Sequence, residues 1–442
     1  MISINIINFL NEKLVWGIPA LILFLGSGII LSVKLGFFQI NLPRIIKLTF
    51  FSKNRTVTGE KTLSPLQTLT SVLAVTLGTG NIVALGTAIA FGGAGAVFWM
   101  VVSAFFGMAT AYSETYLGMK FRRVKPDGSR FGGAFFYIGE VLGSKWAKFF
   151  ALCCIFASLG MGNMTQMNAL SVSLERGFGV PLWVSGLMSM TLVGMLVFGG
   201  AVFFGQVTEK VIPVLSAFYI LGCLAIIVMY IAYIPAALVR IVQEAFDLRA
   251  VSGGFLGTAM LRGMSWGFRR GIFSNEAGLG TAVIINCMSS EDSARKQGLW
   301  ASLAVFIDTV IICLLTALVI LVTGADGLGG DGATFTSAAF GIAFGAFGYY
   351  ADMFLSLCIA LFAIATASGW SFFGSVCVEY LFGKRYLKPF MVLFTLCCFV
   401  GATARLELVW GISDVFNGLM AVPNLIALLL FALGRKYIKM KD

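Results

Sequence analysis

Histidine is absent from the 442-residue chain. That removes nucleophilic triads built on an imidazole base, imidazole proton relays and histidine-ligated metal centres. Charge is scarce too: Asp, Glu, Lys and Arg together make 12% of the residues, against about 25% in an ordinary soluble domain. The nine cysteines contain no C-x-x-C pair, and Cys153-Cys154 and Cys397-Cys398 sit inside apolar runs; they read as small packing residues. No hydrophilic module interrupts the apolar runs. A soluble catalytic domain is therefore excluded, and the net charge of +11 is assigned to basic connections at a membrane surface rather than to nucleic-acid binding.

What fills the chain is apolar: 59% hydrophobic residues, 41 Phe and 52 Gly, with a mean hydropathy of +0.93. This is the composition of an all-α polytopic membrane protein. The first apolar run, from about Leu14 to Val33, is long for a signal sequence and has no clear small-x-small cleavage site, so it reads as a retained helix. Runs long enough to cross a bilayer predict eleven spans, near 14–36, 64–90, 94–121, 146–173, 181–200, 209–234, 253–286, 297–323, 350–382, 386–403 and 408–434. Basic residues concentrate in alternate connections, from Arg44 to Lys61, Lys120 to Lys148, Lys210, Arg295-Lys296, Lys384 to Lys388 and Arg435 to Lys441, whereas the other set holds only Lys13, Arg176, Arg240, Arg249 and Arg405. The positive-inside rule then puts the C-terminus in the cytoplasm and the N-terminus outside, in the plasma membrane. The linker 122–145 is expected to form an amphipathic segment on the cytoplasmic face, and the Gly-rich stretch 324–349 an external loop or lid.

Two spans break the apolar rule. Ala74-Val75-Thr76-Leu77-Gly78-Thr79-Gly80-Asn81 lies in the middle of the second span, and Arg269-Arg270-Gly271-Ile272-Phe273-Ser274-Asn275-Glu276-Ala277-Gly278-Leu279-Gly280-Thr281 in the seventh. Glycine takes non-helical backbone cheaply, and such backbone persists at membrane depth only where protein buries it or where it lines a cavity. Close helix packing through small residues accounts for Gly78 but not for Thr76, Thr79 and Asn81 beside it. With the first span set aside, the breaks open two successive sets of five helices. The expected organisation is thus an extra helix and linker over 1–62, a first repeat over 63–234 and an inverted second repeat over 235–442, forming one transport domain. Free N–H groups at half-helix N-termini suit a carboxylate, and exposed carbonyls suit a cation. Glu276 reads as a structural charge, satisfied by N–H groups of the break or by Arg269 or Arg270; Glu114 and Asp308 are carboxylates inside predicted spans that pair internally or serve a pathway.

These residues resemble the alanine or glycine:cation symporters, the sodium:alanine symporter family, which share the LeuT-type fold. The resemblance covers essentially the whole chain. It is carried by Gly78-Thr79-Gly80-Asn81-Ile82, by Gly92-Gly93-Ala94-Gly95-Ala96-Val97-Phe98-Trp99-Met100, and above all by Arg270-Gly271-Ile272-Phe273-Ser274-Asn275-Glu276-Ala277-Gly278-Leu279-Gly280, with Gly369-Trp370-Ser371 and Arg295-Lys296-Gln297-Gly298 in support. It implies a 5+5 inverted repeat preceded by one helix, and uptake of alanine or glycine coupled to Na⁺. By position it places the N–H groups of Thr79 and Gly80 at the substrate carboxylate, with Gln166, Phe273, Ser274 and Asn275 around the substrate and Trp370 walling the pocket. It puts the carbonyl of Thr76 and the side chain of Asn81 at one Na⁺, and the carbonyls of Ala74 and Leu77 with the hydroxyl of Thr366 at a second. The family commonly carries Ser before the Thr366 position; here it is Ala365, with Ser368 a short step on. Lipid, substrate and Na⁺ are the expected partners, and a monomer is expected to suffice. Proton coupling through Glu276 or Glu114 is the alternative; an intramembrane enzyme lacks a nucleophile and base, and a channel filter would not need two unlike breaks.

Overall fold

The structure, a computed structural model, describes residues 11, 15–51, 62–246, 256–330, 332, 334–404 and 407–434. Of the basic residues used for orientation, Lys13, Lys53, Arg55, Lys61, Arg249, Arg405, Arg435, Lys436, Lys439 and Lys441 lie outside them. The described chain is almost wholly helical, apart from a two-stranded hairpin pairing Arg123–Val124 with Arg130–Phe131. Seven helices among the described residues are long and apolar enough to cross a membrane. An eighth crossing is the bent pair Pro65–Thr76 and Gly80–Gly92. Helix Ile18–Lys34, apolar but only 17 residues long, precedes them.

Local chemistry sets the starts and stops. Ser64 caps the first broken helix, taking the Gln67 N–H at 3.1 Å while Gln67 Oε1 takes the Ser64 N–H at 3.0 Å, and Pro65 occupies the first helical position; this reciprocal pair with a fixed φ is a strong start signal. Helix runs through 182–229, where two spans with a connection over 201–208 were expected. The connection is a single residue: Gly200, at φ 81° and ψ 173°, breaks the run, since 48 residues at 1.5 Å each would reach about 72 Å, over twice a bilayer core. Large exposed apolar side chains on both arms, among them Phe198, Phe218 and Leu221, form the lipid-facing surface.

Two other connections fold more tightly than expected. The segment 122–145 is not a surface amphipath. After the hairpin, helix Ala134–Leu142 buries Phe135, Tyr137 and Ile138 completely, because its apolar face is wide enough to enter the core. The stretch 324–349 contains helix Phe335–Phe344, and Thr336 Oγ1 donates to the carbonyl of Ile82 at 2.6 Å. This segment therefore sits on the C-terminal half of the first broken helix, where Gly86 and Gly332 touch backbone to backbone.

The broken helices are joined at their other ends by backbone. Leu63 N–H donates to Met288 O at 3.0 Å and Ser290 N–H to Leu63 O at 2.7 Å. Helices Gly95–Phe121 and Leu256–Asn275 pack through small residues: a Cβ on Gly267 would stand 2.3 Å from Ala96 O, and one on Gly271 2.2 Å from Ser103 Oγ. Without a hydrophobic drive between helices in lipid, this close backbone approach is what holds the pair. Gly267→Leu is expected to destabilise the protein by about 1–3 kcal/mol or more through overpacking, read as a lowered thermal midpoint in detergent. Gly26→Ala, which meets nothing within 4 Å, is expected to be neutral; equal midpoints for the two would contradict the packing account.

Candidate substrate and cation site

The first break starts where helix Pro65–Thr76 ends. Leu77 leaves the helical region at φ −73°, ψ 87°, and the chain resumes through a wide turn at Gly80–Ala84 with a 53° bend between the halves. Asn81 props this turn: its Oδ1 accepts the Gly78 N–H at 3.0 Å, in place of a helical carbonyl. That fixes which way the amide nitrogen points. Nδ2 donates to Asp308 Oδ1 at 2.8 Å and to Ser274 Oγ at 2.9 Å.

Asp308 is the centre of this cluster and is fully buried. Its Oδ2 accepts from Ser274 Oγ at 2.7 Å and from Thr309 Oγ1 at 2.8 Å. One carboxylate is thus bonded by the first break, by the second and by its own helix. Thr76 turns its buried hydroxyl to the same carboxyl group. Hard cations take oxygen ligands; the carboxylate, the Thr76 hydroxyl and the carbonyls of the break offer such a cation its donors. Among the described residues no group of three or more His, Cys, Asp or Glu gathers.

A second oxygen cluster lies across the same break. Thr366 Oγ1 donates to Ala74 O at 3.1 Å and sits 3.4 Å from Leu77 O. Gly78 permits the approach, since a Cβ there would be 2.7 Å from Thr366 Oγ1. Ser368 does not join: its hydroxyl donates to Ile364 O at 2.7 Å on its own helix. With Ala365 carrying no oxygen, Thr366 is the side-chain donor of this cluster.

Between the clusters, Thr79 Oγ1 donates to Gln166 Oε1 at 3.0 Å and Thr79 N–H points at the same oxygen at 3.4 Å. Gln166 Nε2 donates to Met161 O at 3.3 Å in the wide turn Gly160–Met164. Phe273 faces Gly80: a Cβ on Gly80 would lie 3.3 Å from its ring. Gly80 does not have a positive φ, so space rather than backbone conformation demands glycine there. Trp370 is buried against Gly162 and Phe373 and reaches Glu276. Asn275 spends its side chain on the break, taking Ala277 N–H at 3.0 Å and giving to Thr309 Oγ1 at 3.0 Å.

The carboxylates of the second break are held without the arginines. Glu276, a non-glycine residue at φ 56°, accepts from Thr281 Oγ1 at 2.7 Å. Arg269 instead pairs with Asp414, and Arg270 lies over the rings of Trp266 and Phe273. Glu114 takes the Gly280 N–H at 3.1 Å and is bonded by Asn424, itself bonded by Tyr137.

The structure therefore gathers Asn81 and Ser274, gathers Ala74, Leu77 and Thr366, and pairs Thr79 with Gln166 and Gly80 with Phe273. Sequence reasoning left Asp308 out of the site. Its signal was present: it is the one charged residue between Lys296 and Asp326.

Two interrupted helices meeting over buried oxygens, inside an all-helical membrane bundle, define a LeuT-type transporter. In keeping with this, the structure is similar to that of MhsT in complex with L-phenylalanine, with a TM-score of 0.59 at 14% identity, over 84% of this chain and 90% of that one. The model of the sodium:alanine symporter family matches residues 1–440, and the chain belongs to that family. It is 39% identical to the sodium/alanine symporter AgcS of Methanococcus maripaludis, over 97% of this chain and 95% of AgcS. It is 34% identical to the putative sodium/proton-dependent alanine carrier protein YrbD of Bacillus subtilis, over 95% and 89%. The protein is a multi-pass membrane symporter and not an enzyme.

Two substitutions test the geometry. Gly80→Val places a branched side chain against Phe273 and is expected to abolish substrate binding while leaving folding intact; near-normal uptake would remove Gly80 from the site. Asp308→Asn keeps most hydrogen bonds but deletes the charge. It is expected to weaken the apparent affinity for the coupling cation at least about tenfold, measured as the Na⁺ dependence of uptake in proteoliposomes.

Proposed function

We propose that the protein imports a small neutral amino acid, alanine first and glycine next, together with Na⁺. Transport proceeds by alternating access around a site between the two broken helices. The observation that carries this reading is the Asp308 cluster, which links both breaks through Asn81 and Ser274. A cation there bridges three helices and makes the occupied arrangement differ in free energy from the empty one, which is what coupling requires.

In this reading the substrate carboxylate is received by the N–H groups of Thr79 and Gly80, with Gln166 exchanging its bond to Thr79 for the ligand. Phe273, Ser274 and Asn275 cover the substrate, and Trp370 supports the wall. Na⁺ takes oxygens from Thr76 and Asp308 at one place, with the Asn81 amide turning its oxygen from Gly78 N–H to the ion, and from Ala74, Leu77 and Thr366 at another. Small residues around Gly78 and Gly80 leave little room for a substrate side chain. The transporter works as a monomer of eleven spans, divided at 63–234 and 235–442 into inverted repeats after the extra helix over 1–62. Its N-terminus is outside and its C-terminus in the cytoplasm of the plasma membrane.

Proton coupling remains the second reading. The YrbD relative is named for both ions, and Asp308 is a buried carboxylate at the site. Flux into proteoliposomes separates the two. Alanine uptake is expected to follow an imposed Na⁺ gradient and to fall to background without Na⁺. Uptake driven by a pH gradient alone would replace Na⁺ with H⁺, and uptake indifferent to both would overturn symport. Unlabelled amino acids in competition rank the substrates.

A further inference from the structure

One charge on the helix that leads into the second break is left unanswered. Arg269 is paired with Asp414, but Nε and Nη1 of Arg270 are both buried and have no hydrogen-bond partner among the described residues. The Arg270 guanidinium rests on rings instead, 5.3 Å from the centroid of Trp266 and 5.5 Å from that of Phe273. We propose that Arg270 is the first docking point for the substrate carboxylate, one helical turn short of the N–H groups of Thr79 and Gly80. The inference rests on the amino-acid substrate argued above and adds a station on its route.

Position is the first argument. Trp266, Arg270, Phe273 and Ser274 follow one another on helix Leu256–Asn275 at intervals of three or four residues, which puts them on one face. That face looks toward the first break: a Cβ on Gly80 would lie 3.3 Å from the Phe273 ring, and Ser274 Oγ accepts from Asn81 Nδ2 at 2.9 Å. Arg270 is therefore about 5.4 Å along the axis from these contacts, and the ring of Phe273 adjoins both the guanidinium and Gly80. Away from the break the same stripe reaches the surface of the bundle. Trp266 stacks at 4.9 Å on Phe91, which is 50% exposed, and Arg270 itself is only partly buried.

Charge is the second. A cation inside a span is retained where it faces the bundle interior or a water-filled passage, and such residues mark the paths that solutes take. Of the charges that act on Arg270, those of Arg269 and Asp414 offset each other, so a net positive charge remains at this level. Two of its nitrogens have lost water without gaining an acceptor, and an entering anion removes that cost.

Shape is the third. A guanidinium holds its N–H groups in one plane and meets both oxygens of a carboxylate together; a halide has no second oxygen to offer. A carboxylate that leaves Arg270 for the N–H groups of Thr79 and Gly80 passes the ring of Phe273, so the docking point and the cover of the site are in contact from the start.

The test follows alanine binding to the full chain in nanodiscs by stopped-flow tryptophan fluorescence at fixed Na⁺, with equilibrium titration of the same samples. Arg270→Gln is expected to slow association about tenfold, the lower end of what a steering charge supplies, and to slow dissociation alike, so that Kd is nearly unchanged. Arg270→Lys keeps the charge and loses the paired N–H groups, and is expected to recover part of the rate; a residue that merely held Trp266 and Phe273 in place would show no such rescue. Wild-type association is expected to fall as ionic strength is raised with N-methylglucamine gluconate, a reading that needs no variant. An unchanged association rate in Arg270→Gln would overturn the proposal, as would a Kd raised by the full factor, which would make Arg270 part of the final site. Binding that is lost when gluconate replaces chloride throughout would give the guanidinium to a halide and overturn it too. A wild type that binds no alanine would overturn the amino-acid reading and this inference with it, and is told apart from the other failures, in which the wild type binds.

Discussion

An α-helix interrupted inside hydrocarbon leaves amides and carbonyls that water cannot reach, and each must be satisfied by protein or by a passenger. Most of this structure is arranged around that constraint. At the second break the protein supplies the partners itself: Glu114 takes Gly280 N–H, Asn275 takes Ala277 N–H, and Asn424 gives to the Gly278 carbonyl. At the first break the partners are side chains as well. Asn81 takes one N–H, Gln166 faces another at Thr79, and Thr366 serves two carbonyls.

The surrounding helices are positioned by the same economy. Close approach through Gly267 and Gly271 puts helix Leu256–Asn275 directly against Gly95–Phe121, which brings Glu114 to the second break. The wide turn Gly160–Met164 lets Gln166 reach Thr79, and Gly162 admits the ring of Trp370. Each of these contacts needs a missing Cβ or a loosened helical turn, and each lies within a short distance of the polar clusters.

Much of this was legible beforehand. Misplaced Gly, Thr, Asn and Ser at 76–81 and 274–280 located both breaks, because a lipid-exposed helix has no use for them. The partners of Thr366 followed from the family resemblance. Two things were not readable. The bonds of Glu276 depend on φ 56° at that residue, which turns it toward Thr281 and away from Arg269 and Arg270; local sequence does not state a left-handed residue at glutamate. Asp308 was visible as an isolated charge, but its company comes from three separate helices, a long-range arrangement that spacing along one helix cannot reveal. The break after residue 200 was expected, but as a connection over 201–208; helix propensity on both sides hides that Gly200 makes it alone.

The backbone bridge between Leu63 and residues 288–290 has a consequence for how evenly the conformations are poised. Two hydrogen bonds of ordinary net worth, about 0.5–1.5 kcal/mol each, hold these two ends of the broken helices together. Taken alone, they favour the joined arrangement by a factor of roughly 5 to 150. The parted arrangement is thus a minority species and not a forbidden one, and a ligand needs only a modest preference between the two to reverse their populations.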